Sequence, residues 1–150
     1  MTRKQLMLAA VAVGLALPGS GALAGSKSEA VQARAMLQRA VKAVTKNEHA
    51  ALLAFTKRQD GFGEGDLYTF CARARSGWVV AHPFRLGDNL AEQSDVNGKL
   101  FGKEMLNTAE TGVVKDIHYM WPRPGQRTPV QKDTFYTKVD DLVCGVGYYP

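Results

Sequence analysis

The chain has 150 residues, 45% of them hydrophobic and 22% charged, with a formal net charge of +5. That length suits one domain around one core. The basic residues are scattered and form no arginine or lysine block, which argues against nucleic acid as a partner.

The chain opens with Arg3 and Lys4, then an apolar and glycine run from Leu6 to Leu17. Pro18-Gly19-Ser20-Gly21 breaks the run, and Ala22-Leu23-Ala24 supplies a small-x-small cleavage site. This is the pattern of a secretory signal peptide, with cleavage expected after Ala24 and a domain over 25–150. The run is short of the roughly 20 residues a spanning helix needs; the alternative is an uncleaved anchor. No cysteine follows it, so a lipid anchor is not expected. Without Arg3 and Lys4, 17 basic residues face 14 acidic ones. A mildly basic surface of this kind suits anionic small molecules.

From Ser28, apolar residues Val31, Met36 or Leu37, Val41, Val44, Leu52 and Phe55 recur at helical spacing, with a pause expected at Thr45-Lys46-Asn47. Gly61–Gly65 reads as a loop, and Phe62 is expected to fill the gap between helix and sheet. The loop opens no helix and lacks GK[ST], so it is no phosphate loop.

Asp66–Arg73 alternates as a strand, with Leu67, Thr69, Cys71 and Arg73 on one face and Tyr68, Phe70, Ala72 and Ala74 on the other. Arg75-Ser76-Gly77 turns into a second strand, Trp78–His82, which Pro83 ends. Phe84–Thr111 is a connection carrying a helix over Leu100–Ala109, preceded by a turn at Asp95-Val96-Asn97-Gly98. That turn lacks the further acidic ligands a calcium loop requires. Asp116–Trp121, Thr134–Val139 and Leu142–Tyr149 complete five strands, the last two joined through Asp140-Asp141. A long helix followed by a largely antiparallel sheet defines an α+β domain.

Cys71 and Cys144 are the only cysteines. A secreted chain favours a disulfide between them; the alternative is two buried free thiols. No CxxC occurs. His49, His82 and His118 lack metal-ligand spacing, so no metal or cofactor is implied. No GxSxG elbow or paired catalytic carboxylates are present, and an enzyme is not expected.

The remaining features suit binding. Tyr68 with Phe70 and Tyr119 with Trp121 stand at i, i+2 spacing, so each pair faces one side of the sheet. Lys132 lies just before a strand, with Tyr136 four residues on. Aromatic walls with one or two fixed cations, a lysine ammonium or a protonated imidazole, fit a small carboxylate. His82 ends a strand beside a proline and is either a ligand contact or a side chain bonded to backbone. The aromatics are alternatively core, and Lys132 solvated.

Several motifs occur in a distinctive order. They are Phe62 with Gly65-Asp66-Leu67-Tyr68-Thr69-Phe70, Val80-Ala81-His82-Pro83, Gly87-Asp88-Asn89, Asp95-Val96-Asn97-Gly98-Lys99 with Phe101, Tyr119-Met120-Trp121-Pro122, Lys132 and Gly145-Val146-Gly147-Tyr148-Tyr149. Together they resemble the single Cache domain family (sCache_2 type), extracytoplasmic sensor modules of bacteria. The resemblance covers about Ser28–Tyr149. It implies a long N-terminal helix on a five-stranded antiparallel PAS-like sheet in the order 2-1-5-4-3. That order makes a bridge between Cys71 and Cys144 geometrically credible.

The resemblance also implies a pocket on one sheet face for a small organic acid, amino acid or related metabolite. The positions carried over are Tyr68, Phe70, His82, Tyr119, Trp121 and Lys132, with Phe101 and Tyr136 as weaker members; Arg85 is a second candidate cation on the loop, on its charge alone. Tyr136 lies one residue further from the lysine than expected. Many family members sit between transmembrane helices, whereas this chain ends at Pro150, just after the last strand. The expectation is a periplasmic or secreted sensor that passes ligand state to a membrane receptor, kinase or transporter. The alternative is a non-catalytic adaptor whose pocket is filled by its own side chains.

Overall fold

The computed structural model describes residues 24–150, with side-chain surroundings from Glu29 onward. The expected leader, residues 1–24, lies outside the described residues except for Ala24. Helix α1 runs Ala24–Lys46 and α2 Glu48–Thr56. The break falls where the sequence pauses. Asn47 is extended, at φ −162°, and its side chain accepts from the Ala50 N–H at 3.0 Å, capping α2.

The buried face of α1 is Ala33, Met36, Leu37, Ala40 and Val44. Val31, expected in that stripe, is instead 68% exposed. Small alanines at 33 and 40 let the helix lie close against β6, β5 and β2, which leaves Val31 on the outer side.

Among the described residues six strands form one antiparallel sheet: β1 Gly63–Glu64, β2 Leu67–Arg73, β3 Val79–Ala81, β4 Lys115–Pro122, β5 Pro129–Val139 and β6 Leu142–Tyr148. The order is β1-β2-β6-β5-β4, with β3 also on β2. This is the implied order of five strands with one addition. The two-residue β1 continues the edge of β2 beside β3, where a loop was expected. β5 also begins five residues earlier than the sequence indicates. Its first residues pair with β4 alone, Pro129 against Pro122 and Lys132 against Tyr119. Lys132 therefore lies within a strand and not before one.

The core divides into two layers, one on each side of the sheet. α1, α2, Phe55 and Phe62 cover Leu67, Cys71, Cys144 and Val146. Phe62 fills its expected place, edge-on to Phe55 with ring centroids 4.6 Å apart. Cys71 and Cys144 are direct partners on β2 and β6, are disulfide-bonded and have no solvent exposure.

The other face carries Tyr68, Phe70, Ala72, Ile117, Tyr119, Tyr136 and Val143. It is covered by the connection after β3, which holds a short 3₁₀ turn at Leu90–Glu92 and helix α3, Phe101–Thr108. Asp95 ties this cover down. One of its oxygens accepts the N–H groups of Asn97 and Lys99, both at 2.9 Å, and the other accepts that of Met120 on β4 at 3.0 Å. The N–H of Met120, then that of Lys99, holds the Asp95 carboxyl below its ordinary value.

Candidate functional site

On the face away from α1, side chains from four strands and the connection converge on one cavity. Tyr68 and Phe70 come from β2, Tyr119 and Trp121 from β4, and Lys132 from β5. His82 follows β3, Arg85 lies on the loop after it, and Phe101 begins α3. All six residues expected from sequence line this cavity, as do Arg85 and Phe101. Tyr136 does not. It lies on the same face, but its hydroxyl is engaged with Thr108 of α3 at 2.7 Å.

Lys132 is the central group. Only 2% of the residue is exposed, and its Nζ donates to the Tyr68 hydroxyl at 2.8 Å. The same nitrogen lies 4.5 Å from the Tyr68 ring centroid and 5.3 Å from that of Tyr149. Among the described residues no carboxylate lies within 4.0 Å of it. An ammonium has three donors, so one hydrogen bond leaves it under-satisfied. Burying a charge without a counter-charge costs several kcal/mol.

The path of this side chain depends on Gly147 of β6. A Cβ built there would lie 2.2 Å from Lys132 Cε and 2.8 Å from Thr134 Oγ1. A Cβ built at Gly145, two residues earlier, would likewise lie 2.7 Å from the tip of the Phe70 ring. The alternation of β6 thus clears a trough on the cavity face, through which Lys132 crosses from β5 toward β2.

His82 is bonded to backbone and faces the cavity at once. Its Nδ1 accepts the N–H groups of Phe84 at 3.0 Å and Arg85 at 3.1 Å. In a neutral ring this places the hydrogen on Nε2. Burial, with Lys132 and then Arg85 nearby, lowers its pKa to about 3. The expected protonated imidazole is therefore corrected: at neutral pH His82 offers an uncharged N–H, because burial, and then the two neighbouring cations, oppose a further charge.

The aromatic wall is close-packed. Phe101 stacks on Tyr119 with centroids 3.9 Å apart and planes 8° from parallel, and Trp121 meets Phe101 edge-on at 5.2 Å. Tyr119 is bonded to Thr134 at 3.0 Å, and burial pushes its hydroxyl well above the ordinary phenol range. The remaining cavity is about 20 Å³, room for one water-sized group.

This cavity adjoins a cleft of about 150 Å³ that shares Tyr68, His82, Arg85 and Trp121 with it. Arg123 lines the cleft between Pro122 and Pro124. Its Nη1 is 2.7 Å from Asp66, and its guanidinium lies 4.6 Å over the Tyr149 ring. Sequence reasoning missed Arg123 and Tyr149. Their signals were a cation held between prolines directly after an aromatic strand, and an aromatic two residues beyond Gly147.

A larger groove of about 650 Å³ runs between α1 and the 111–114 segment. Its Thr137 hydroxyl is already spent on the carbonyls of Glu110 and Val113, and no buried unpaired charge faces it. Among the described residues no cluster of three or more His, Cys, Asp or Glu side chains could hold a metal ion. None of their helices is long and apolar enough to cross a membrane.

A helix-backed antiparallel sheet with an enclosed, polar-centred cavity on its other face defines a PAS-like sensory domain. The sequence matches the Single Cache domain 2 family over residues 24–149, and the chain belongs to that family of extracytoplasmic sensor domains. Solved structures agree on the fold. A methyl-accepting chemotaxis protein from Vibrio parahaemolyticus is similar at 20% identity and TM-score 0.66, over 82% of this chain and 89% of that one. A periplasmic sensor domain of a chemotaxis protein matches at 24% and 0.60, over 83% and 96%. A Cache chemosensory domain, described for its carboxylic acid recognition, matches at 16% and 0.63, over 82% and 94%. No curated protein sequence matches the chain.

Proposed function

We propose that this chain is a periplasmic or secreted sensor that binds a small organic acid or similar anionic metabolite and passes its ligand state to a membrane receptor, kinase or transporter. Residues 1–24 act as the leader, and 25–150 form the single sensing domain. The reading is non-catalytic. Lys132 receives the carboxylate, the Nε2–H of His82 adds a neutral donor, and Tyr68, Phe70, Tyr119 and Trp121 enclose the rest, with Arg85 and Phe101 at the margin.

One observation carries this reading: a lysine 2% exposed whose Nζ has a tyrosine hydroxyl and, among the described residues, no carboxylate as partner. A ligand anion supplies the missing counter-charge in a site of low dielectric, where a charge-assisted hydrogen bond is strong. Kinship with sensor domains, including one described for carboxylic acid recognition, supports the same class of ligand. The cavity of about 20 Å³ is smaller than any organic acid. Binding then has to shift the loop after His82, and a ligand favouring the shifted state moves the population toward it.

The small volume also favours a second reading, an adaptor whose pocket is self-filled. The convergence of Lys132, His82 and Tyr68 on that space weighs against it, since a permanent plug gains nothing from a buried cation. A thermal-shift screen of short carboxylates and amino acids separates the two. The sensor raises its Tm with at least one acid, and Lys132→Met abolishes the rise. No rise with any compound favours the adaptor.

A further inference from the structure

We propose that the preferred ligand is a dicarboxylate, with one carboxylate on Lys132 and the second in the outer cleft on Arg123 and Arg85. This rests on the carboxylate reading of Lys132 above. The inner cavity, about 20 Å³, has room for a water-sized group, so once the loop after His82 shifts it takes a head group and not a whole organic acid. Its walls Tyr68, His82, Arg85 and Trp121 are also walls of the cleft of about 150 Å³. An acid whose head reaches Lys132 must place its remaining atoms along that shared boundary.

What waits there is cationic. Arg85 extends from the loop after β3, stacked 4.8 Å over Trp121 and bonded through Nη1 to Asp88 at 3.1 Å. Arg123 extends from the turn after β4, stacked over Tyr149 and bonded through Nη1 to Asp66. A guanidinium carries five N–H donors in a fixed fork, so one carboxylate contact leaves donors for a second acid. Stacking on Tyr149 holds the Arg123 fork in place, which reduces the ordering cost of binding. Pro122 and Pro124 restrict the backbone on either side of Arg123. An alkyl chain lies against Trp121 and Tyr68 while each end meets a cation. A monocarboxylate of equal length leaves its apolar tail among the guanidinium groups.

Calorimetric titration of the whole chain with butanoate against butanedioate, and pentanoate against pentanedioate, tests this. At least one diacid is expected to bind about tenfold more tightly than its monoacid partner, the scale of one charge-assisted contact. Arg123→Gln removes that advantage by weakening the diacid about tenfold more than the monoacid. Arg85→Gln, which leaves the Arg123–Asp66 pair intact, reduces the advantage in the same direction. Equal binding of monoacid and diacid, or equal weakening of both by Arg123→Gln, overturns the proposal while the Lys132 reading stands. If no acid binds and Lys132→Met changes nothing, both fall together.

Discussion

Lys132 on β5 reaches Tyr68 on β2 across the intervening strand β6, and its ammonium meets the tyrosine hydroxyl at 2.8 Å. This contact joins residues 64 apart in sequence and passes over Gly147, the position where a side chain would block it. The sheet order, the glycine and the lysine together make the cavity, and no one of them makes it alone.

The buried ammonium is a cost to the empty protein. Lys132→Met keeps all but the last atom of the unbranched side chain and removes the charge. The ligand-free variant is expected to be more stable in urea by about 1–4 kcal/mol, the range seen when buried ions give way to apolar groups. Stability gained together with loss of acid binding marks a residue kept for function. Destabilisation in the absence of any acid would mean that Lys132 serves the fold.

Gly147→Ala puts a methyl group where Lys132 Cε now lies. Overpacking of this kind costs about 1–3 kcal/mol. The cost is expected to shrink in a Lys132→Ala background, where the crowding side chain is gone and Thr134 Oγ1 remains. A double-mutant cycle by urea denaturation reads the coupling directly. Additive costs would show that Lys132 does not cross at this glycine.

His82 should make stability depend on pH. Its folded pKa, about 3, lies below the unfolded value of 6.5, so the unfolded chain binds the extra proton between these limits. Its contribution is complete above pH 6.5 and is lost as pH falls toward 3, at up to about 1.4 kcal/mol per pH unit. His82→Asn keeps an acceptor for the N–H groups of Phe84 and Arg85 and removes the titration. Urea melts from pH 7 to pH 5 should therefore fall more steeply for the native protein than for the variant. Parallel slopes would refute the assignment.

The Cys71–Cys144 bridge closes a loop of 73 residues on the face away from the cavity. The chain-entropy estimate for such a loop is about 4 kcal/mol. Replacing both cysteines with alanine should lower unfolding stability by that order. Acid affinity at a temperature where the variant is folded should stay unchanged, since neither cysteine lines the cavity. A loss of affinity in the folded variant would tie the bridge to the site.

The legibility of this chain differed by layer. The alternation of β2 assigned Tyr68 and Phe70 to one face and Cys71 to the other, because a strand with period two leaves no freedom once one face is known. The extent of β5 was not legible. Gln131, Lys132 and Asp133 do not alternate in polarity, and only pairing with β4 makes them strand. Lys132 stood out as a cation near aromatics, yet its burial depends on Gly147 fifteen residues later. The charge of His82 was misread because it is set first by burial and then by Lys132 and Arg85, and only the folded chain supplies these. Arg123 escaped notice because its partners are distant in sequence, Asp66 lying 57 residues earlier and Tyr149 just beyond the last strand.

The most direct test of the central claim is a crystal structure of the protein saturated with the tightest-binding acid from the thermal-shift screen. The account predicts a carboxylate oxygen about 2.7–2.9 Å from Lys132 Nζ, inside the wall formed by Tyr68, Tyr119 and Trp121. An acid bound instead in the groove beside α1, with Lys132 still satisfied by Tyr68 alone, would contradict it.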